Sequence, residues 1–200
     1  MEIYGDIKSG NCYKVKLLCD LLGKSYEWIH VDILDNDTHT PEFLAMNPNG
    51  KIPVIRLENG KCLSESNAIL HFLAEGTEML PADIWARANV LQWQFFEQYS
   101  HEPFIAVARY IALYLGLPDS RRDEYESKRA DGNKALTILN DRLSQSSFLV
   151  GDNPTIADIS LFAYTHVASD GGFDLDNYPQ VQRWINDIQR LPGFTPMSID

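Results

Sequence analysis

A chain of 200 residues with 44% hydrophobic and 22% charged side chains has the composition of one large or two small folded domains, which excludes a disordered or fibrous chain. Seventeen basic against 28 acidic side chains give a net charge of −11, and neither residues 1–75 nor the remainder is basic, which excludes nonspecific nucleic-acid and anionic-membrane binding. Cys12, Cys19 and Cys62 are too few for a disulfide framework or a zinc ligand set, no signal peptide opens the chain and no apolar run approaches the roughly 20 residues that span a bilayer, so a soluble cytoplasmic protein is expected.

In chain order, Glu2–Asp6 reads as a short strand and Asn11–Leu22 as a helix with Val15, Leu18, Cys19 and Leu22 on one apolar face. Gly23 stands where a helix stops, and the aromatic, β-branched run Tyr26–Val31 reads as a second strand. A short helix is expected from Pro41 to Met46. Asn59-Gly60 between Pro53–Leu57 and Lys61–Leu63 predicts a hairpin, and Ser66–Ala74 a further helix. The order is βαβ followed by ββα.

Residues 76–82 read as a linker, and strand signals then all but vanish. Asp83–Leu115 reads as one long helix or two, stopped by Leu117-Pro118. A helix capped by Ser120 is expected to run to about Ser144, with Leu136, Leu139 and Leu143 inward. Thr155-Ile156-Ala157-Asp158 has capping-box spacing, and Tyr178–Leu191 predicts the last helix, with Val181, Trp184, Ile185 and Ile188 on one face. Trp28, Trp85, Trp93 and Trp184 are expected in the core. His30, His71 and His166 lack metal-ligand spacing. The fold class is a small α/β domain over 1–75 and an all-helical domain over 83–200.

Three local features carry chemistry. Ser9-Gly10-Asn11-Cys12 places a hydroxyl and an amide at a helix start, where unpaired N–H groups and a partial positive charge favour an anion such as a thiolate; the same residues also suit plain capping. In Asn47-Pro48-Asn49-Gly50-Lys51-Ile52-Pro53-Val54, a cis Ile52–Pro53 bond would turn neighbouring backbone groups toward an extended ligand, although a Pro-rich loop entering an edge strand explains the spacing as well. In Glu65-Ser66-Asn67-Ala68, Ser66 and the helix N–H groups suit a carboxylate while Glu65 suits an ammonium group, together matching the α-end of an amino acid.

The Asn-Pro-x-Gly-Lys-x-Pro loop, the Glu-Ser-x-Ala-Ile-Leu segment and the Gly-Asp-x-Pro-Thr-x-Ala-Asp segment (residues 151–158) stand in an order and spacing that resembles the cytosolic glutathione transferases of bacterial type, over nearly the whole chain. The resemblance implies a thioredoxin-like N-terminal domain, an all-α C-terminal domain and a homodimer joined through the hairpin and third helix of one subunit and the long helices of the other. It implies reduced glutathione as co-substrate, no resident cofactor or metal, and a small electrophile as second substrate. Pro53 would be the family's cis-proline, with the Ile52 or Val54 backbone pairing the cysteinyl part of glutathione. Glu65 and Ser66 would hold the γ-glutamyl end, and Lys51 and His39 the glycine carboxylate. Ser9 matches the hydroxyl that supports the thiolate in serine-type classes, and Asn11 an asparagine of some bacterial classes.

The chain departs from other classes. Tyr4 lies in the strand, where packing is expected of it, and Ser9 stands where cysteine-type members carry a thiol. Cys12 reads as a buried helix residue. The second substrate is expected between the domains, against the stretch from His101 to Tyr110, with Phe104 and the cation Arg109 as candidates. Glutathione-dependent peroxide or disulfide reduction, and a non-catalytic interaction module on the same fold, are the alternatives.

Overall fold

The computed structural model describes residues 1–197, which form two compact units. The first comprises residues 1–77 together with 191–197, and the second residues 78–190.

In the first unit β1 (Glu2–Gly5) leads to α1 (Gly10–Leu21) and β2 (Glu27–His30), then α2 (Pro41–Met46), β3 (Val54–Arg56), β4 (Cys62–Ser64) and α3 (Ser66–Ala74). The sheet order is β2-β1-β3-β4: β1 and β2 are parallel, while β3 is antiparallel to both β1 and β4. Successive strand residues face opposite sides. Val54 and Tyr4 pack on one side with Val31, Phe43 and Met46. Ile3, Ile55 and Gly5 face the other, where a Cβ on Gly5 would stand 2.9 Å from the Cys12 sulfur of α1, so glycine permits this close approach. Cys12 is buried as expected, while the α1 periodicity understated burial elsewhere: Tyr13, Lys14 and Leu17 are buried along with Val15, Leu18 and Cys19.

The last segment differs from expectation. Residues 191–197 follow the helices in sequence yet group with α1. The Tyr13 hydroxyl donates to the Thr195 carbonyl at 2.7 Å, and Lys16 Nζ donates to Thr195 Oγ1 at 3.1 Å and to Asp20 at 2.7 Å.

The second unit contains α4 (Ile84–Phe96), α5 (Glu102–Arg109), α6 (Arg122–Ser127), α7 (Arg129–Leu143), α8 (Ile156–Thr165) and α9 (Pro179–Gln189). The first two form one helical run through a π turn at Glu97–His101, and a second π turn follows at Tyr110–Tyr114. Pro103, which has no N–H to give an α-helix, stands in the first turn of α5, directly after the wider turn. The helix expected from Ser120 is split. Ser120 lies inside a 3-10 turn, Asp119–Arg121, and a break at Lys128 separates α6 from α7.

The capping box at Thr155 and Asp158 is present, and the buried Asp158 carboxylate also accepts from Leu149 N and Trp184 Nε1, each at 2.9 Å. Trp184 and Trp93 are buried, but Trp85 is 76% exposed; at the second position of α4 it lies outside the core the sequence suggested. The His166 ring stacks on Phe162 with centroids 4.4 Å apart. Burial pushes its imidazole down to about 4, and the Arg109 charge acts in the same direction.

This lowered value predicts an acid-sensitive contribution to stability. The unfolded chain protonates the ring near pH 6.5 while the native state keeps it neutral, so stability is full above 6.5 and declines as pH falls toward 4. For a half-buried ring the loss is on the order of 2 kcal/mol. His166→Phe keeps the stack without a titrating group. Urea unfolding at pH 7 and pH 4.5 should show a gap smaller by that amount in the variant, and an unchanged gap rules His166 out as its source.

Candidate active site

Strand register gathers the motifs at one end of the sheet. Gly5 ends β1 and opens the Asp6–Ser9 turn. Antiparallel pairing sets Val54, the first residue of β3, opposite Tyr4, and sets Ser64, the last residue of β4, opposite Val54. The turn after β1, Ile52-Pro53 before β3 and Glu65-Ser66 after β4 therefore share one edge.

Ser9 occupies the N-cap position of α1, with its amide donating to the Asp6 carbonyl at 3.0 Å, but its hydroxyl makes no capping bond. The capping role that the sequence also suggested for Ser9 is not taken up. The first turn of α1 contains no acidic residue. Three residues on, the Cys12 thiol is pushed up to about 12 by burial, against the favourable influence of the Ser9 hydroxyl and the Asp6 backbone. At neutral pH it is a thiol, not a nucleophile. The Tyr4 hydroxyl donates to Glu2 at 2.9 Å, toward the far end of β1 from the Ser9 turn, and the Arg56 guanidinium lies 5.3 Å from its ring centre.

Asn11 and Ser66 meet across two helices: the Ser66 hydroxyl donates to Asn11 Oδ1 at 3.2 Å. The buried Lys14 ammonium donates to the same Asn11 oxygen at 2.7 Å and to Ser66 Oγ at 3.3 Å. Sequence reasoning passed over Lys14. The available signal was a lysine whose i+1, i+3 and i+4 positions, Val15, Leu17 and Leu18, are apolar.

Ser66 is buried at the start of α3. Glu65, exposed at the preceding position, has φ +65 and ψ 109, a strained backbone for a residue with a side chain, of the kind that collects at ligand sites. Glu65→Gly should relieve that strain, raising stability by up to about 1 kcal/mol. It also removes the carboxylate, so affinity for a ligand ammonium should drop about tenfold. Thermal unfolding paired with ligand titration checks the two opposite signs, and a variant that loses stability contradicts the strain.

The Ile52–Pro53 bond is cis. Val54 lies inside the ladder, between Tyr4 and Ser64, while Ile52 lies just outside it. The loop before them is organised by Asn47, buried, whose Nδ2 donates to the Lys51 carbonyl at 2.7 Å and whose Oδ1 accepts from Asn49 N at 3.1 Å. Gly50, at φ +62, passes so close to the preceding 3-10 turn (Asp37–His39) that a Cβ there would stand 3.5 Å from His39 Nε2. His39 and the Lys51 loop are thus neighbours, both residues exposed, and the Thr38 hydroxyl lies 3.0 Å from His39 Nδ1.

The two second-substrate candidates fare differently. Arg109 is 1% exposed and its Nε pairs with Asp170 at 3.0 Å, inside the helical unit. The expectation that it meets a ligand is corrected: a buried guanidinium engaged by a carboxylate 61 positions later is a packing element. Phe104 is half-buried and lines a cavity of about 390 Å³ with Phe96, Tyr99, Asp131, Lys134 and Ile138.

Among the described residues no His, Cys, Asp or Glu side chains gather in threes for a metal, and no helix is long and apolar enough to cross a membrane. The family models for the glutathione S-transferase N-terminal and C-terminal domains match residues 9–75 and 93–192. A glutathione S-transferase crystal structure from Pseudomonas fluorescens Pf-5 is 58% identical, with a TM-score of 0.97, covering 100% of this chain and 98% of that one. A glutathione transferase from Burkholderia graminis, solved with two glutathione molecules bound per subunit, is 28% identical with a TM-score of 0.84, covering 96% and 84%. The disulfide-bond oxidoreductase YfcG of Escherichia coli K12 is 31% identical over 190 residues, 92% of this chain and 87% of its own. With a thioredoxin-like sheet, a helical second unit and both family models matched, the chain belongs to the glutathione S-transferase family.

Proposed function

We propose that this protein binds reduced glutathione, stabilises its thiolate and directs it at small electrophiles. The observation that carries the reading is the Ser9 hydroxyl at the α1 N-terminus, which makes no capping bond, at the same sheet end as Ile52-Pro53 and the Asn11–Ser66 pair. Ser66, the α3 N–H groups and Glu65 take the γ-glutamyl carboxylate and ammonium. Ile52, outside the strand ladder, pairs the cysteinyl backbone beside Pro53 and Val54. Lys51 and His39 meet the glycine carboxylate, and Phe104 offers an apolar wall to the second substrate.

A free thiol with a pKa near 8.5 is mostly protonated at neutral pH, and the thiolate is the nucleophile. Each unit of lowering needs about 1.4 kcal/mol of preference for the anion. A hydrogen bond from Ser9, the Asn11 amide and the α1 dipole together supply about one to two units. The thiolate sulfur then bonds to the electrophilic carbon, and the leaving group departs with the bonding electron pair.

The similarity to the Escherichia coli disulfide-bond oxidoreductase favours a second reading in which the same thiolate attacks a disulfide. Since Cys12 is held as a thiol, the attacking sulfur there also comes from glutathione. Parallel assays with an aryl halide and a mixed disulfide separate the two. Thioether formation that depends on protein and glutathione supports the first, turnover of the disulfide alone supports the second, and no turnover of either contradicts an enzyme.

We place the protein in the cytoplasm as a homodimer. The three free cysteines support a reducing compartment. Ile84, Leu91, Phe95 and Tyr99 form an exposed apolar row along α4 and its π turn, and Phe72 is exposed on α3. Faces of this kind are covered by partners. Sedimentation at twice the chain mass is expected at micromolar concentration, and a monomer there contradicts the dimer.

A further inference from the structure

Lys14 is the one strongly polar side chain of α1 that is wholly buried, and the family reading gives it no part. Taking an ammonium out of water costs several kcal/mol, offset only through the acceptors around it. An apolar residue of similar length would fill the same volume without that penalty. Two of its acceptors are Asn11 Oδ1 at 2.7 Å and Ser66 Oγ at 3.3 Å, both on residues that the glutathione reading uses.

An ammonium has only donors, so the amide atom it meets must be oxygen. The Ser66 hydroxyl donates to that oxygen as well. The orientation of the Asn11 amide is therefore fixed by Lys14, with Oδ1 held inward and the two Nδ2 hydrogens left on the opposite side of the group. Ser66 is constrained differently. Its proton is directed at Asn11 while its oxygen accepts from Lys14, so binding a carboxylate requires only that the hydroxyl proton turn away from Asn11. Lys14 keeps the Asn11 oxygen engaged after that turn, and its charge stays 3.3 Å from the Ser66 oxygen.

We propose that Lys14 is a positioning residue for glutathione: its buried ammonium locks the Asn11 amide, so that the Nδ2 donors are presented to the ligand, and backs Ser66 with positive charge. The proposal rests on the glutathione reading. It requires that loss of the ammonium disturb thiol ionisation and γ-glutamyl affinity together, although the side chain touches no ligand.

The test compares the unaltered protein with Lys14→Met and Lys14→Arg. Glutathione affinity is measured by calorimetry, and ionisation of the bound thiol by thiolate ultraviolet absorbance against pH. Lys14→Met should weaken binding about tenfold and raise the pH midpoint of the bound thiol by about one unit. Lys14→Arg, which keeps the charge, should restore most of both. In an Asn11→Ala background, Lys14→Met should move the midpoint much less, because the amide it orients is gone. A folded Lys14→Met protein with unchanged affinity and midpoint overturns the proposal while leaving the glutathione reading intact. If the unaltered protein does not bind glutathione, both fall.

Where Lys14→Met does not fold, nuclear magnetic resonance of the unaltered protein decides. The Asn11 side-chain amide should show one protected conformer whose Nδ2 signals shift on adding glutathione. Absence of that shift overturns the proposal.

Discussion

Replacing Asp158 with alanine should destabilise the helical unit by about 3–5 kcal/mol. Its carboxylate is fully buried and accepts from Leu149 N and Trp184 Nε1 through one oxygen, and from Thr155 N and Thr155 Oγ1 through the other. It thereby joins the loop before α8, the α8 cap and the inner face of α9. Burial raises the carboxyl above its usual value, against the pull of those donors. Deleting the side chain leaves buried donors unsatisfied, and each costs about 1–3 kcal/mol, with partial relaxation keeping the total below a simple sum. Asp158→Asn keeps one acceptor oxygen but sets an NH2 against donors, so it should fall between. Denaturant unfolding followed by tryptophan fluorescence, where Trp184 itself reports, checks the order native > Asn > Ala. A loss under about 1 kcal/mol for alanine contradicts the account of the cap as a buried hub.

Ser9→Ala should lower kcat for conjugation by about 10- to 100-fold, with glutathione affinity changed far less. The hydroxyl makes no helix-capping bond and faces the weak acceptor Cys12, so a glutathione thiolate is the stronger acceptor for it, and a hydrogen bond to a charged group contributes about 1.5–3 kcal/mol. That interaction is made to the anion rather than to the thiol, which is why the effect falls on turnover and on the pH midpoint of the bound thiol. The midpoint should rise by about one to two units. Steady-state kinetics at saturating glutathione, with thiolate absorbance against pH, checks both. Unchanged turnover moves thiolate support from Ser9 to Asn11.

What the sequence made legible was local. The capping box depends on residues three apart, the Asn59-Gly60 hairpin on two, and both are present. Pairings across long separations were invisible. Lys14 meets Ser66 52 positions away, and Arg109 meets Asp170 61 positions away. The spacing leaves Arg109 open between an acidic partner and a ligand, because the carboxylate that engages it lies on the turn after α8. Tyr13 and Thr195 are 182 apart, so nothing in the spacing tied residues 191–197 to α1. Pro103 and Trp85 show another limit. Periodicity treats a helix as regular, and the π turn beside Pro103 and the exposed start of α4 are departures from regularity.

The central claim is that the sheet end carrying Ser9, Ile52-Pro53 and Glu65-Ser66 takes glutathione. Calorimetric titration with reduced glutathione, repeated on Ser66→Ala, tests it most directly. Binding in the micromolar to low-millimolar range by the native protein, weakened about tenfold or more in Ser66→Ala, is the predicted result. Absence of binding up to many millimolar, or binding that Ser66→Ala leaves unchanged, would contradict the assignment of this site.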